Sequence, residues 1–263
     1  MPGQIALYIA FFSALGAGVL FWLTPLTKKK DNRSRAAIQL YYLHTAAVVA
    51  ASAFLLYALL THQFQYDYVY ANTDLSLSPI YLFSAFWAGQ EGSYLFWALC
   101  GAVAGLFLLK KEQNLRHLVM PVIMTGQAFL LLFLVLDSPF QLLDWIPADG
   151  AGLNPLLMDP WMVIHPPIVF VGYALLIIPF AYAVAALYVK DYHRGFMPAL
   201  PWAVCGWLFL GAGIFIGGVW AYRVLGWGGY WGWDPVENAS LIPWLAGTAL
   251  VHGMLLQSQK RVF

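Results

Sequence analysis

Three histidines are the residues best suited to bind a metal or move a proton. His165 stands in NPLLMDPWMVIHPPIVFVGY, Asn154 to Tyr173. Pro166 and Pro167 follow it. They predict a ring held off helical backbone, at the mouth of a helix that begins behind it. An imidazole there suits an axial iron ligand or an acid–base group. A histidine that only hydrogen-bonds its loop would have the same sequence. His252 lies in an apolar run eleven residues beyond Leu241, about 16 Å along a helix. An ionisable side chain at that membrane depth marks function. The other reading is a neutral ring bonded to a neighbouring helix. Trp244, Thr248 and His252 are spaced i, i+4, i+8 and share a face. His44 reaches a similar depth, which would allow it to face His252 across one iron. His62, His117 and His193 read as solvated loop residues.

The densest chemistry is in WGGYWGWDPVENASLIPWL, Trp227 to Leu245. Trp227, Tyr230, Trp231 and Trp233 alternate with Gly228, Gly229 and Gly232. Glycine bends the backbone and admits close approach, and tryptophan offers a wide face with one N–H. Together they suit a planar apolar ligand with polar edges, as a porphyrin is. An interfacial aromatic belt explains one or two of these residues. Asp234 suits a helix N-cap, Pro235 the first helical position and Glu237 the third, as in a capping box.

The elements that must position these residues are membrane spans. Of 263 residues 62% are hydrophobic and 10% charged, where a soluble domain has about 25% charged. The expected fold is all-α: one polytopic membrane bundle over 1–263, with about seven transmembrane helices. The apolar stretches run 5–26, 36–60, 94–109, 118–136, 168–189, 202–221 and 235–257, the third starting nearer Phe86. No small-residue cleavage site follows the first, so it reads as a span and not a cleaved signal. Lys28, Lys29, Lys30, Arg33 and Arg35 follow the first span; Lys110, Lys111 and Arg116 the third; Lys190 and Arg194 the fifth; Lys260 and Arg261 the seventh. Only Arg223 lies on the other side. The positive-inside rule then puts the N-terminus outside and the C-terminus in the cytoplasm.

The long loops, 61–93, 137–167 and 222–234, fall outside, with most of the acids, and function is expected there. The tryptophan-rich segment, 222–240, belongs to that face. Net charge is +1, which gives no electrostatic case for nucleic acid. Cys100 and Cys205 form no CxxC or CxxCH and read as small core residues. Gly101/Gly105 and Gly213/Gly217 are GxxxG pairs that ordinary helix packing explains.

The stretch from Trp227 to Leu245 resembles the tryptophan-rich WWD signature of the haem-handling proteins of cytochrome c maturation. Its continuation, DPVENASLIPWLAGTALVH, is most similar to the CcmF/NrfE branch, the haem lyase subunit; CcmC and CcsA carry looser versions. WAGQEGSYLFWAL (Trp87 to Leu99) and NPLLMDPWMVIHPP (Asn154 to Pro167) agree with it. The resemblance implies a bacterial inner-membrane, multi-pass protein with the WWD segment on its periplasmic face. It implies that His165 is an axial ligand and the catalytic residue toward a substrate haem. Trp227, Gly228, Tyr230, Trp231, Trp233, Asp234, Glu237 and Asn238 would form that haem's surface. Asp234 and Glu237 read first as helix-start chemistry, because haem propionates would meet like charge there. The resemblance also implies a membrane-embedded haem b on His252 that keeps the substrate iron reduced, with electrons from quinol. The haem chaperone CcmE would deliver haem, and a CcmH-type protein would present the apocytochrome c CxxCH thiols. In the family each haem has two histidine ligands, the second further along a longer chain. This chain is therefore expected to be the amino-terminal part of a usual member, the remainder lying beyond it or in a separate polypeptide. Two rival readings are a haem-presenting module that makes no bond and a quinone- or ion-coupled membrane protein.

Overall fold

The computed structural model describes residues 2–24, 32–112, 114–226 and 228–260, without the side chains of 192–196 and 259–260. Trp227 and Lys28–Lys30 therefore lie outside the described residues. The chain is helical: α1 Pro2–Trp22, α2 Asn32–Leu60, α3 Asp67–Asn72, α4 Pro79–Ser84, α5 Gln90–Lys111, α6 Arg116–Leu136, α7 Pro160–Val189, α8 Tyr192–Val224 and α9 Pro235–Lys260. Short 3-10 turns occupy Ala85–Trp87 and Pro155–Leu157. Seven of these helices are long and apolar enough to cross a membrane. They match the seven apolar stretches, so the polytopic helical fold read from composition is the fold observed.

The main core lies among α1, α2, α5, α6 and α7, around Tyr41, Leu55, Leu95, Ile123 and Tyr182. Small residues bring these helices together. A Cβ on Gly101 would overlap the Gln127 amide, and one on Gly105 the Tyr41 hydroxyl, which donates to the Ala102 carbonyl at 2.7 Å. At the α5–α6 turn, Glu112 Oε1 accepts from the Asn114 and Leu115 amides, and Oε2 accepts from the Tyr182 hydroxyl at 2.9 Å. One carboxylate thus fixes the turn that leads into α6 and ties α7 to it. α8 packs on α7, and α9 packs mainly on α8. Only 17% of α9's most apolar stretch is buried, against 61% for α6.

At the opposite end the long loops are knitted together. The Asp67 amide donates to the Gln141 carbonyl, Leu143 to Gln65 and Ala151 to Tyr70. The indole N–H of Trp220 donates to the Leu156 carbonyl at 3.0 Å. Arg223 Nε meets Asp159 Oδ2 at 3.2 Å. The cation that sequence set apart from the others is thus a strut between α8 and the start of α7.

Several expectations need correction. α7 starts at Pro160, eight residues before the apolar run, so His165, Pro166 and Pro167 lie inside the helix. Asp159 makes this start: its Oδ1 accepts from the Trp161 amide at 2.9 Å, and Pro160 takes the first position. The two later prolines remove donors from the first turns, which membrane helices tolerate where neighbours pack closely. His117 is half-buried in the first turn of α6 and His62 half-buried against Phe64, not solvated. Cys205 is exposed on α8, not core.

Candidate functional site

The site begins with the imidazole of His165. Its Nδ1 donates to the Gly213 carbonyl of α8 at 2.8 Å. A carbonyl only accepts, so in the neutral ring the lone pair falls on Nε2. That atom has no hydrogen-bond partner among the described residues. The ring sits close against α8 because residue 217 has no side chain. A Cβ on Gly217 would stand 2.5 Å from His165 Cε1, and one on Gly213 would stand 2.5 Å from Val169 Cγ2. The second GxxxG pair therefore shapes the seat of the histidine as well as packing two helices.

His165 lines a cavity of about 730 Å3, within the range of small-molecule and cofactor sites. α7 contributes Met162, Val169, Phe170 and Tyr173; α8 contributes Ile214, Gly217, Trp220 and Ala221. Trp87, Gly89, Gln90 and Ser93 form one shoulder, and Trp231, Asp234, Glu237 and Ser240 the other. Two indole N–H groups of this wall, on Trp87 and Trp231, are buried with no partner among the described residues.

The first shoulder is built on Tyr68. Its buried hydroxyl lies 3.0 Å from the carbonyls of Ala85 and Phe86, and accepts from the Gly89 amide at 3.0 Å. Gly92 leaves room for it, since a Cβ there would overlap both Phe86 O and Tyr68 Oη.

The second shoulder is the capping box expected from sequence. Asp234 Oδ1 accepts from the Glu237 amide at 2.7 Å, and Glu237 Oε2 accepts from the Asp234 amide at 3.3 Å and from Gly232 at 2.8 Å. Asn238 donates from Nδ2 to the Trp233 carbonyl at 3.1 Å. These bonds hold Trp233 at φ +59°, a conformation costly for a bulky residue.

The aromatic segment is not one flat stack. Trp231 and Trp233 meet edge-to-face, at 6.0 Å and 86°. Tyr230 instead stacks on Tyr222 at 4.4 Å and 8°. Trp231 lines the cavity, whereas Trp233, 71% exposed, lines a smaller adjoining pocket of about 290 Å3 with Ile214, Phe215 and Trp244. Gly228 makes a turn at φ +68°. Gly228, Tyr230 and Asn238 do not line the cavity.

His252 is elsewhere. It is exposed on α9, its Nδ1 donating to the Thr248 carbonyl at 2.9 Å, which again leaves Nε2 free. The face predicted for Trp244, Thr248 and His252 exists. Trp207 stacks on Trp244 at 5.7 Å and 8°, and its Nε1 donates to Thr248 Oγ1 at 2.7 Å. His44 is fully enclosed, its Nδ1 on the Ala10 carbonyl at 3.1 Å. One ring is enclosed and the other exposed, an arrangement that does not favour the shared iron that similar depth would allow.

Residue chemistry alone did not single out Trp87, Gln90, Tyr68, Gly213 and Gly217. The signals present were the stretch WAGQEGS and the GxxxG spacing. An aromatic-walled cavity, an imidazole with a free Nε2 and a helix edge cleared of side chains fit an iron-bearing planar macrocycle.

These features lie in a polytopic membrane helical bundle. A family model described as "Cytochrome C assembly protein" matches residues 87–262, and the chain belongs to that family. It is 41% identical over 225 residues to the cytochrome c-type biogenesis protein CcmF of Pseudomonas fluorescens, covering 83% of this chain and 34% of that protein. It is 36% identical over 260 residues to CcmF of Escherichia coli K12 (95% and 40%), and 37% identical over 246 residues to NrfE of Haemophilus influenzae (90% and 38%). A solved structure titled "Cytochrome c Heme Lyase CcmF" superposes with a TM-score of 0.86 at 32% identity, over 99% of this chain and 42% of that one. The chain thus spans between a third and about two-fifths of the length of these relatives.

Proposed function

We propose that this chain acts in cytochrome c maturation as part of a haem lyase. Substrate haem enters the cavity between α7 and α8, with His165 Nε2 on its iron and Trp231 against its edge. The observation that carries this reading is the His165 ring itself. Its Nδ1 is fixed on the Gly213 carbonyl, which orients Nε2 as a ligand before any ligand arrives.

The ligation consists of adding each CxxCH thiol of apocytochrome c across a haem vinyl group. A C–S bond forms, the thiol hydrogen passes to the vinyl carbon, and nothing is oxidised. His165 would hold and orient the haem during this addition. His252, with Nδ1 on the Thr248 carbonyl and Nε2 free, would hold a haem b, which when bound supplies an electron to keep the substrate iron reduced. Quinol would be the source of that electron. CcmE would bring the haem and a CcmH-type protein the apocytochrome. The chain would lie in the bacterial inner membrane, with the knitted loops and the tryptophan-rich segment facing the periplasm, as the basic residues at the α5–α6 and α7–α8 turns favour.

The test is spectral. Pyridine haemochrome and reduced-minus-oxidised spectra would be recorded on the purified chain, on His165→Ala and on His252→Ala, beside a cell-free assay of thioether formation. His165→Ala is expected to lose the substrate haem and thioether product while sparing a low-spin b band. His252→Ala is expected to do the reverse for that band. Equal loss of the same band in both variants would sink the two-site assignment.

A further inference from the structure

The charge around the His165 cavity has a consequence for what the cavity recognises. No lysine or arginine is among the described residues that line it. Two carboxylates, Asp234 and Glu237, are in its wall, side by side at the start of α9. Arg223 is the single described lysine or arginine of the loop end, and it is not among the residues that line the cavity. Ile214, Gly217, Gly218, Trp220 and Ala221 of α8 line the cavity, with Leu225 just beyond the helix. Arg223 lies two residues from Ala221, about 200° around the helix, and three from Trp220, whose indole N–H is turned to the Leu156 carbonyl. Its Nε is already engaged by Asp159. Apart from His165, Gln90, Ser93 and Ser240 the remainder of the wall is aromatic or apolar, and its indole N–H groups on Trp87 and Trp231, without partners among the described residues, are neutral donors. Ser93 Oγ donates to the Trp87 carbonyl and Ser240 Oγ to the Glu237 carbonyl.

A carboxylate drawn into such a wall would lose water and meet like charge without gaining a cation. We infer that this cavity selects its ligand by the apolar faces of the ring and by the iron bond, and not by the ligand's carboxylates. The acids of a dicarboxylate metalloporphyrin stay at the mouth, in solvent, and its apolar edge lies inward against Trp231 and Phe170. The inference rests on the porphyrin reading of the cavity and defines its ligand class as iron macrocycles, with or without acidic substituents.

Two ligands that differ only in charge test it. Ferric protoporphyrin IX and its dimethyl ester are titrated by absorbance into the purified 263-residue chain in detergent, with His165→Ala as the blank for uptake by micelles. The expected result is a His165-dependent affinity for the ester equal to or tighter than that for the diacid. A diacid bound about tenfold or more tightly than the ester overturns the inference and leaves the porphyrin reading standing. Asp234→Asn then isolates the wall charge, because asparagine keeps the N-cap while removing the carboxylate. It is expected to tighten the diacid by about two- to fivefold and leave the ester unchanged. An unchanged or weakened diacid affinity in this variant counts against the repulsion proposed here. If neither porphyrin binds in a His165-dependent way, the porphyrin reading itself falls and this inference with it.

Discussion

His165 and Gly217 share one space: a Cβ at position 217 would lie 2.5 Å from Cε1 of the imidazole and 2.8 Å from its Nδ1. Carbon atoms do not approach that closely without displacement, so the ring keeps its seat only while residue 217 is glycine. Gly217→Ala is therefore expected to push the ring off the Gly213 carbonyl and weaken iron-porphyrin binding by about tenfold or more, as small misplacements of a positioned group do. Gly253→Ala is the control, because nothing lies within 4 Å of a Cβ there. Absorbance titration reads the affinity, and the position of the Soret band reports whether a histidine still ligates the iron. An unaltered band and affinity in Gly217→Ala would show that the ring has another way to sit.

The capping box at α9 sets the shape of the tryptophan segment. Glu237 accepts from the amides of both Gly232 and Asp234, so Glu237→Ala frees two donors and should cost about 1 kcal/mol. Faster hydrogen exchange is expected at the Gly232 and Asp234 amides, with little change in α7 or α8. Glu237→Gln keeps an acceptor at the same reach and should restore most of the protection. Equal exchange in the alanine variant and the parent would mean that the loop is held by other contacts.

What could be read from the sequence divides along lines of physical range. The capping box could be read because its donors and acceptors are three residues apart, and the spans because each is a long apolar run. The seat of His165 could not. Its helical placement depends on Asp159, which caps α7 while held by Arg223 from 64 residues away. The Pro166–Pro167 pair is a local signal for a break, and packing against α8 overrode it. The Gly213/Gly217 spacing announces close approach but not by what, and the imidazole that fills the gap comes from a different helix. Trp233 reads as a platform residue, yet its left-handed backbone turns it edge-on to Trp231 and away from the cavity.

Tyr68 holds up the wall that carries Trp87. Burial pushes its hydroxyl well above the ordinary phenol range, so it stays protonated across working pH and remains a donor as well as an acceptor. Tyr68→Phe removes the group that accepts from the Gly89 amide and leaves that N–H without its partner. A loss of about 1–3 kcal/mol in unfolding free energy is expected. A retained ring should preserve the packing. The check is thermal unfolding in detergent together with the fluorescence of Trp87, which should shift as the shoulder loosens. Unchanged stability would mean that water replaces the hydroxyl.

The two histidines that sequence placed at similar depth should behave in opposite ways. His44 is wholly enclosed and bonded to Ala10 of α1. His44→Ala leaves a void and removes that bond, and a loss of about 2–4 kcal/mol is expected. His252 is exposed and bonded only to its own helix, at Thr248. Its replacement by alanine should shift stability by less than about 0.5 kcal/mol. Its ligand role would then appear as the loss of a low-spin b-type band in protein that is otherwise intact. Chemical unfolding of both variants beside their reduced spectra separates the roles. A stable His44→Ala protein that lacks the b band would move the ligand assignment from α9 to α2, and with it the place where an electron reaches the substrate iron.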